Sequence, residues 1–186
     1  MRLPLLLTCL ALAACSGPPP TRVVVPPAAV PDRVGIAYRT VSVLNVDLPT
    51  YASVEDIAVA QPGGLVETTN ENIWADDPQR AITLELARVL AQITRATVAP
   101  QPWPFQDDPE AVVDVRLETA VAQAGGQFRM SGQYFVAPRD AGRPDRARLF
   151  SIDIPFDPEG GFAAIARARG QAVSQLAVLI ARDGLR

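Results

Sequence analysis

Val113-Asp114-Val115-Arg116-Leu117-Glu118-Thr119-Ala120-Val121 alternates apolar and polar residues with a period of two. This pattern specifies a strand with one buried face and one wetter face. Gly125-Gly126 turns the chain, and Phe128, Met130, Gly132, Tyr134 and Val136 repeat the alternation. After a longer charged loop, Phe150, Ile152 and Ile154 repeat it again. The three runs predict an antiparallel meander that needs a second layer over its apolar face.

Two helices supply that layer. The first opens at Asp76-Asp77-Pro78, where an aspartate can cap the helix and proline suits its first turn. Ile82, Leu86, Val89, Leu90 and Ile93 then fall on one face, with Arg80, Glu85, Arg88, Gln92 and Arg95 largely on the other. The second opens at Asp157-Pro158, places Phe162, Ile165, Val173, Leu176, Ala177 and Ile180 inward, and stops at Gly184. Upstream, Val34 to Leu48 reads as a strand region with a bulge near Arg39-Thr40. Ile57-Ala58-Val59 and Leu65-Val66-Glu67-Thr68 flank Pro62-Gly63-Gly64 as a short hairpin. The expected class is α+β, a two-layer, mostly antiparallel sheet packed by two main helices.

The amino terminus carries the clearest chemical signal. Met1-Arg2 gives a positive start, Leu3 to Ala11 is apolar except for Thr8, and Leu12-Ala13-Ala14-Cys15 follows. This is the order of a secretory signal, and the apolar run is far short of the ~20 residues that span a bilayer. Leu12 to Cys15 is similar to a lipobox. On that reading residues 1–14 are a lipoprotein signal peptide, and Cys15 becomes the amino-terminal residue. Its sulfur would carry a diacylglyceryl group, and its amino group a further acyl chain such as palmitate. Cys9 leaves with the signal, so no free thiol remains for a disulfide, a metal site or a nucleophile. Ser16, rather than Asp, follows the lipidated residue and looks like an outer-membrane address.

Residues 15–33 read as a lipidated Pro-rich tether, with Pro18, Pro19, Pro20, Pro26, Pro27 and Pro31. Extended at about 3.1 Å per residue, it would reach roughly 50 Å and leave the domain's orientation free. Val23-Val24-Val25 has the composition of an edge strand, but the stretch as a whole is read as tether. Residues 34–186 are then a single domain, as expected for a chain of 186 residues.

Composition narrows the chemistry. The net charge is −3, and all 17 positive side chains are Arg, since the chain has neither Lys nor His. There is no concentrated basic face for nucleic acid. Without His, the commonest general base and the commonest transition-metal ligand are missing. No Gly-rich phosphate loop, nucleophile elbow or metal-ligand cluster is present, so no catalytic residue, metal or cofactor is assigned. Asp76-Asp77 and Asp107-Asp108 are candidate carboxylate pairs for a hydrolase, but capping and turn chemistry already explain both. Arg139, Arg143, Arg146 and Arg148, diluted by Asp140 and Asp145, suit a solvated hairpin tip better than an anion site. Trp74 and Trp103 could anchor a partner, although a staple between helix and sheet is the simpler role.

Several short motifs resemble the PqiC group of ABC-type transport auxiliary lipoproteins. They are Val43 to Val46 leading into Leu48-Pro49-x-Tyr51, then Ile57-Ala58-Val59, Trp74-Ala75 with Pro78 at a helix start, and the regular Asp114-to-Leu117 strand. The chain departs from the family pattern at Glu55-Asp56, where an Arg is common. It departs again at Trp74-Ala75-Asp76-Asp77-Pro78, which replaces a compact Trp-Ala-Glu-Pro-Leu. The resemblance implies a non-catalytic auxiliary subunit of an intermembrane phospholipid-transport system that maintains the envelope. The implied partners are an MCE-domain protein and its ABC permease and ATPase, or a related membrane protein. A homo-oligomer is compatible with it. The rival readings are an outer-membrane assembly or cell-wall-synthase helper lipoprotein, and a periplasmic hydrolase working through Asp107 or Asp108.

Overall fold

The computed structural model describes residues 19–186, so Cys9, Cys15 and Ser16 lie outside the described residues. Its eight strands form one mixed, mostly antiparallel sheet, on which two helices pack. The strands are β1 (Thr21–Val23), β2 (Thr40–Val43), β3 (Asp56–Ala60), β4 (Val66–Trp74), β5 (Thr97–Pro100), β6 (Ala111–Gln123), β7 (Gln127–Pro138) and β8 (Arg146–Pro155). The helices are α1 (Pro78–Ile93), between β4 and β5, and α2 (Gly161–Leu179), which ends in a π turn at Ile180–Gly184.

The meander β6-β7-β8 is the backbone of the sheet, antiparallel throughout. The other edge of β6 is shared. Its first part pairs in parallel with β2, which in turn carries β5. Its last residues pair in parallel with β3, which carries β4 and, beyond it, β1. β6 is long enough to serve both because a bulge between Leu117 and Thr119 re-aims its second half. That bulge also shifts the alternation. Val113, Val115 and Leu117 face the core as expected, but beyond the bulge Ala120 and Ala122 take over from Thr119 and Val121.

Local chemistry fixes the helix ends. The Asp77 carboxylate accepts the Arg80 N–H at 2.7 Å, and Pro78 occupies the first turn. Buried Ile82, Leu86, Val89, Leu90 and Ile93 join the core, each contributing about 1.5–3 kcal/mol on burial. Buried Thr83 accepts the Val46 N–H at 2.9 Å and donates to the Gln79 carbonyl, tying the segment after β2 to α1. At Asp157 the side chain accepts the Glu159 N–H at 3.0 Å and opens the short turn that leads into α2.

Two expectations change. The strand region from Val34 forms a strand only from Thr40. The preceding residues instead satisfy helix-end carbonyls: the Val34 N–H donates to Ile93 at 2.7 Å, and the Ala37 N–H to Leu185 at 2.8 Å. The stretch 15–33 is not all tether either. Thr21–Val23 pairs in parallel with Asn72–Trp74, and Val23 and Val25 pack on the core. Apolar Val side chains and an open β4 edge make this pairing favourable, and among the described residues Thr21–Val23 is part of the sheet.

Candidate binding cleft

The end of β4 delivers Trp74 to the place where α1, α2 and the segment after β1 meet. Trp74 is buried. Its N–H donates to Glu55 at 2.7 Å, and the next N–H, from Ala75, reaches back to Val23 at 2.9 Å. Residues Val23 to Pro27 then cross α2 as a strap. They come so close at Gly170 that a Cβ there would stand 3.1 Å from the Pro26 carbonyl oxygen and 3.2 Å from Val25. Glycine in mid-helix is unfavourable by up to about 1 kcal/mol relative to Ala, and close backbone approach is its compensation here.

Beside Gly170 stands Arg169, on the inner side of α2. It is only 3% exposed. Its guanidinium lies over the Trp74 ring, 4.3 Å from the centroid, a desolvated cation–π contact. No carboxylate lies within ion-pair distance of it among the described residues, and its Nε has no hydrogen-bond acceptor. Burial pulls its pKa down to about 10, opposed by the charges of Glu85 and Asp76, so it remains a cation at neutral pH. Glu85 shows the reciprocal effect. Burial raises its pKa, and the nearby Arg169 and Arg88 oppose the rise. Arg88 reaches Glu85 at 3.6 Å.

These residues enclose a cleft of about 290 Å³. Val23, Val25, Leu84 and Trp74 give it apolar walls, while Arg169, Arg88, Glu85 and Asp76 place two charges of each sign around it. Such a site can orient a ligand bearing both an oxyanion and a cationic or apolar part. It offers no nucleophile with a neighbouring base. No group of three or more metal-ligating side chains occurs among the described residues, and no described helix is long and apolar enough to cross a membrane.

The sequence matches the family described as the ABC-type transport auxiliary lipoprotein component over residues 22–181. The chain belongs to this family. The match begins inside β1 and runs through α2, so the strap and the cleft both lie within the family's own unit. Among curated proteins, none matches the chain. Solved structures share the fold, among them the following two. A crystal structure of an uncharacterized protein is 15% identical, covers 87% of this chain and 97% of its own, and superposes with a TM-score of 0.63. A protein from Xanthomonas campestris is 14% identical, with 88% and 91% covered and a TM-score of 0.63.

The other candidates resolve into local structure. Asp77 is the cap already described, and Asp76 pairs with Arg80 and accepts the Asp77 N–H at 2.9 Å. Asp108 pairs with Arg139 at 2.9 Å, and the Asp107 carbonyl accepts the Trp103 indole N–H at 2.7 Å. In the β7–β8 hairpin, Arg143 covers the Tyr38 ring at 4.9 Å and Arg146 donates to the Arg186 carbonyl. Trp74 is the staple, and Trp103 stacks edge-on with Phe105 at 4.9 Å. The structure does not bring the two Asp pairs or the two Trp residues into one site. Arg169 was not among the candidates, although the register signals it. It falls four residues after Ile165 and four before Val173, a charge on the apolar face of its helix.

Proposed function

We propose that this chain is a lipoprotein anchored through Cys15 at the periplasmic face of the outer membrane. There it acts as a non-catalytic auxiliary subunit of an intermembrane phospholipid-transport system, docking an MCE-domain protein that works with an ABC permease and ATPase. The family match over residues 22–181 carries this reading. Asp76, Asp77 and Asp108, three of the four carboxylates that a hydrolase would draw on, are engaged in a cap and in ion pairs, which favours a binding role over turnover.

The deciding experiment is crosslinking of the tagged full chain in its native host, followed by identification of the captured proteins. The expected partners are an MCE-domain protein and its transporter. Capture of a β-barrel assembly protein or a penicillin-binding protein in their place would transfer the chain to the helper-lipoprotein class. Separation of the two membranes by density should place the chain with the outer membrane, and inner-membrane enrichment would refute that address.

A further inference from the structure

We infer that the cleft between Trp74, Arg169 and the Val23–Pro27 strap is a binding site for a zwitterionic phosphate ester, with the phosphate on the Arg169 guanidinium. Arg169 is 3% exposed and its buried Nε has no acceptor, and a guanidinium so far desolvated without a carboxylate partner is unfavourable unless something completes its hydrogen bonds. The chain has carboxylates within electrostatic reach, Glu85 and Asp76, yet neither closes on Arg169. Trp74 holds the guanidinium plane from one side, which fixes the direction of its donors. A rigid, planar, buried fork suits a tetrahedral or planar oxyanion.

The remaining features select among oxyanions. Glu85 and Asp76 stand on the same rim, so a ligand carrying only negative charge would meet repulsion there. A ligand whose cationic end faces Glu85 while its oxyanion faces Arg169 meets complementary charges at both ends. Val23, Val25 and Leu84 provide a wall for an apolar portion. The volume of about 290 Å³ holds a headgroup-sized molecule and is too small to bury a whole diacyl lipid. The inference rests on Arg169 and its surroundings and not on the transport assignment; a chain that binds no phosphate ester can still capture an MCE-domain partner.

The test is calorimetric titration of the full chain with glycerophosphoethanolamine, with inorganic phosphate, and with glycine as a zwitterion lacking phosphorus. A Trp103→Phe chain, in which Trp74 is the sole tryptophan, adds a fluorescence readout at the site. Saturable binding of glycerophosphoethanolamine, at least tenfold tighter than phosphate, supports the site and identifies the source as a lipid headgroup. Phosphate binding as tightly as glycerophosphoethanolamine overturns the zwitterionic assignment, because Glu85 and Asp76 would then contribute no selection. Arg169→Met should weaken either by at least tenfold. Ala81→Phe fills the cleft from α1, keeps the guanidinium, and should abolish binding even where Arg169→Met fails to fold. Absence of saturable binding by both phosphorus compounds overturns the proposal. So does glycine binding as tightly as they do, or affinity that survives both substitutions.

Discussion

Arg169 and Glu85 show how a burial pattern turns into a pH dependence. Burial raises the Glu85 pKa above its ordinary 4.5, so the folded chain holds this proton more tightly than the unfolded chain. The resulting stability is fully present at pH values below 4.5 and is lost as pH rises through the raised folded value. Glu85→Gln, which stays neutral, should lack this fall. Urea midpoints of the two proteins at pH 4 and pH 7 check it, and parallel pH curves would discard the assignment. Gly170 makes a separate prediction. Gly170→Val should lift the strap from α2, because the Pro26 carbonyl has no room beside a branched side chain. The expected outcome is faster tryptic cleavage after Arg22 with little change in melting temperature; unchanged cleavage would show that the strap yields without detaching.

Elements were legible in the sequence where periodicity had room to develop. The meander and both helices run for 10 residues or more, and their apolar spacing, caps and turns agree with one another. β1 and β5 have 3 and 4 residues, too few for a period, and both are held by parallel pairing with distant strands. Only the Val run at β1 hinted at one of them. The bulge in β6 was hidden because Val121 continues the alternation past it. Gly132 on β7 marks it in the structure. A Cβ there would collide with the Arg116 carbonyl oxygen and sit 2.9 Å from the Leu117 Cα. Gly132→Ala should therefore destabilise the domain by about 3 kcal/mol, since the obstacle is backbone at the bulge and not a side chain that can swing away. Asp77→Ala removes the cap of α1 and should remove about 1 kcal/mol, or roughly 2–4 °C of melting temperature. Thermal unfolding followed by circular dichroism orders the two, and a larger loss for Asp77→Ala would contradict both accounts.

At the scale of the whole molecule, fold class and family were readable because they are spread over many residues. The cleft was not, because it is assembled from β1, β4, α1 and α2, and no short spacing joins them. Under the proposed anchoring, Cys15→Ala should release a folded chain into the soluble periplasmic fraction. Continued sedimentation of that variant with membranes would show that the acyl chains are not the main attachment.

Under the proposed anchoring at Cys15, a domain pulled from its amino end would have two lengths of leash. While β1 is paired, only residues 16–20 separate Cys15 from the sheet, and the six steps from Cys15 to Thr21 span at most about 22 Å. β1 is short and its first residue, Thr21, takes the load first. Once it peels from β4 and the strap leaves Gly170, the next fixed backbone point is the Val34 N–H bonded to Ile93. That frees residues 21–33, about 40 Å more at polyproline spacing. Tension thus sets the standoff in steps, close at rest and long under load, and the first step dismantles one wall of the Arg169 cleft.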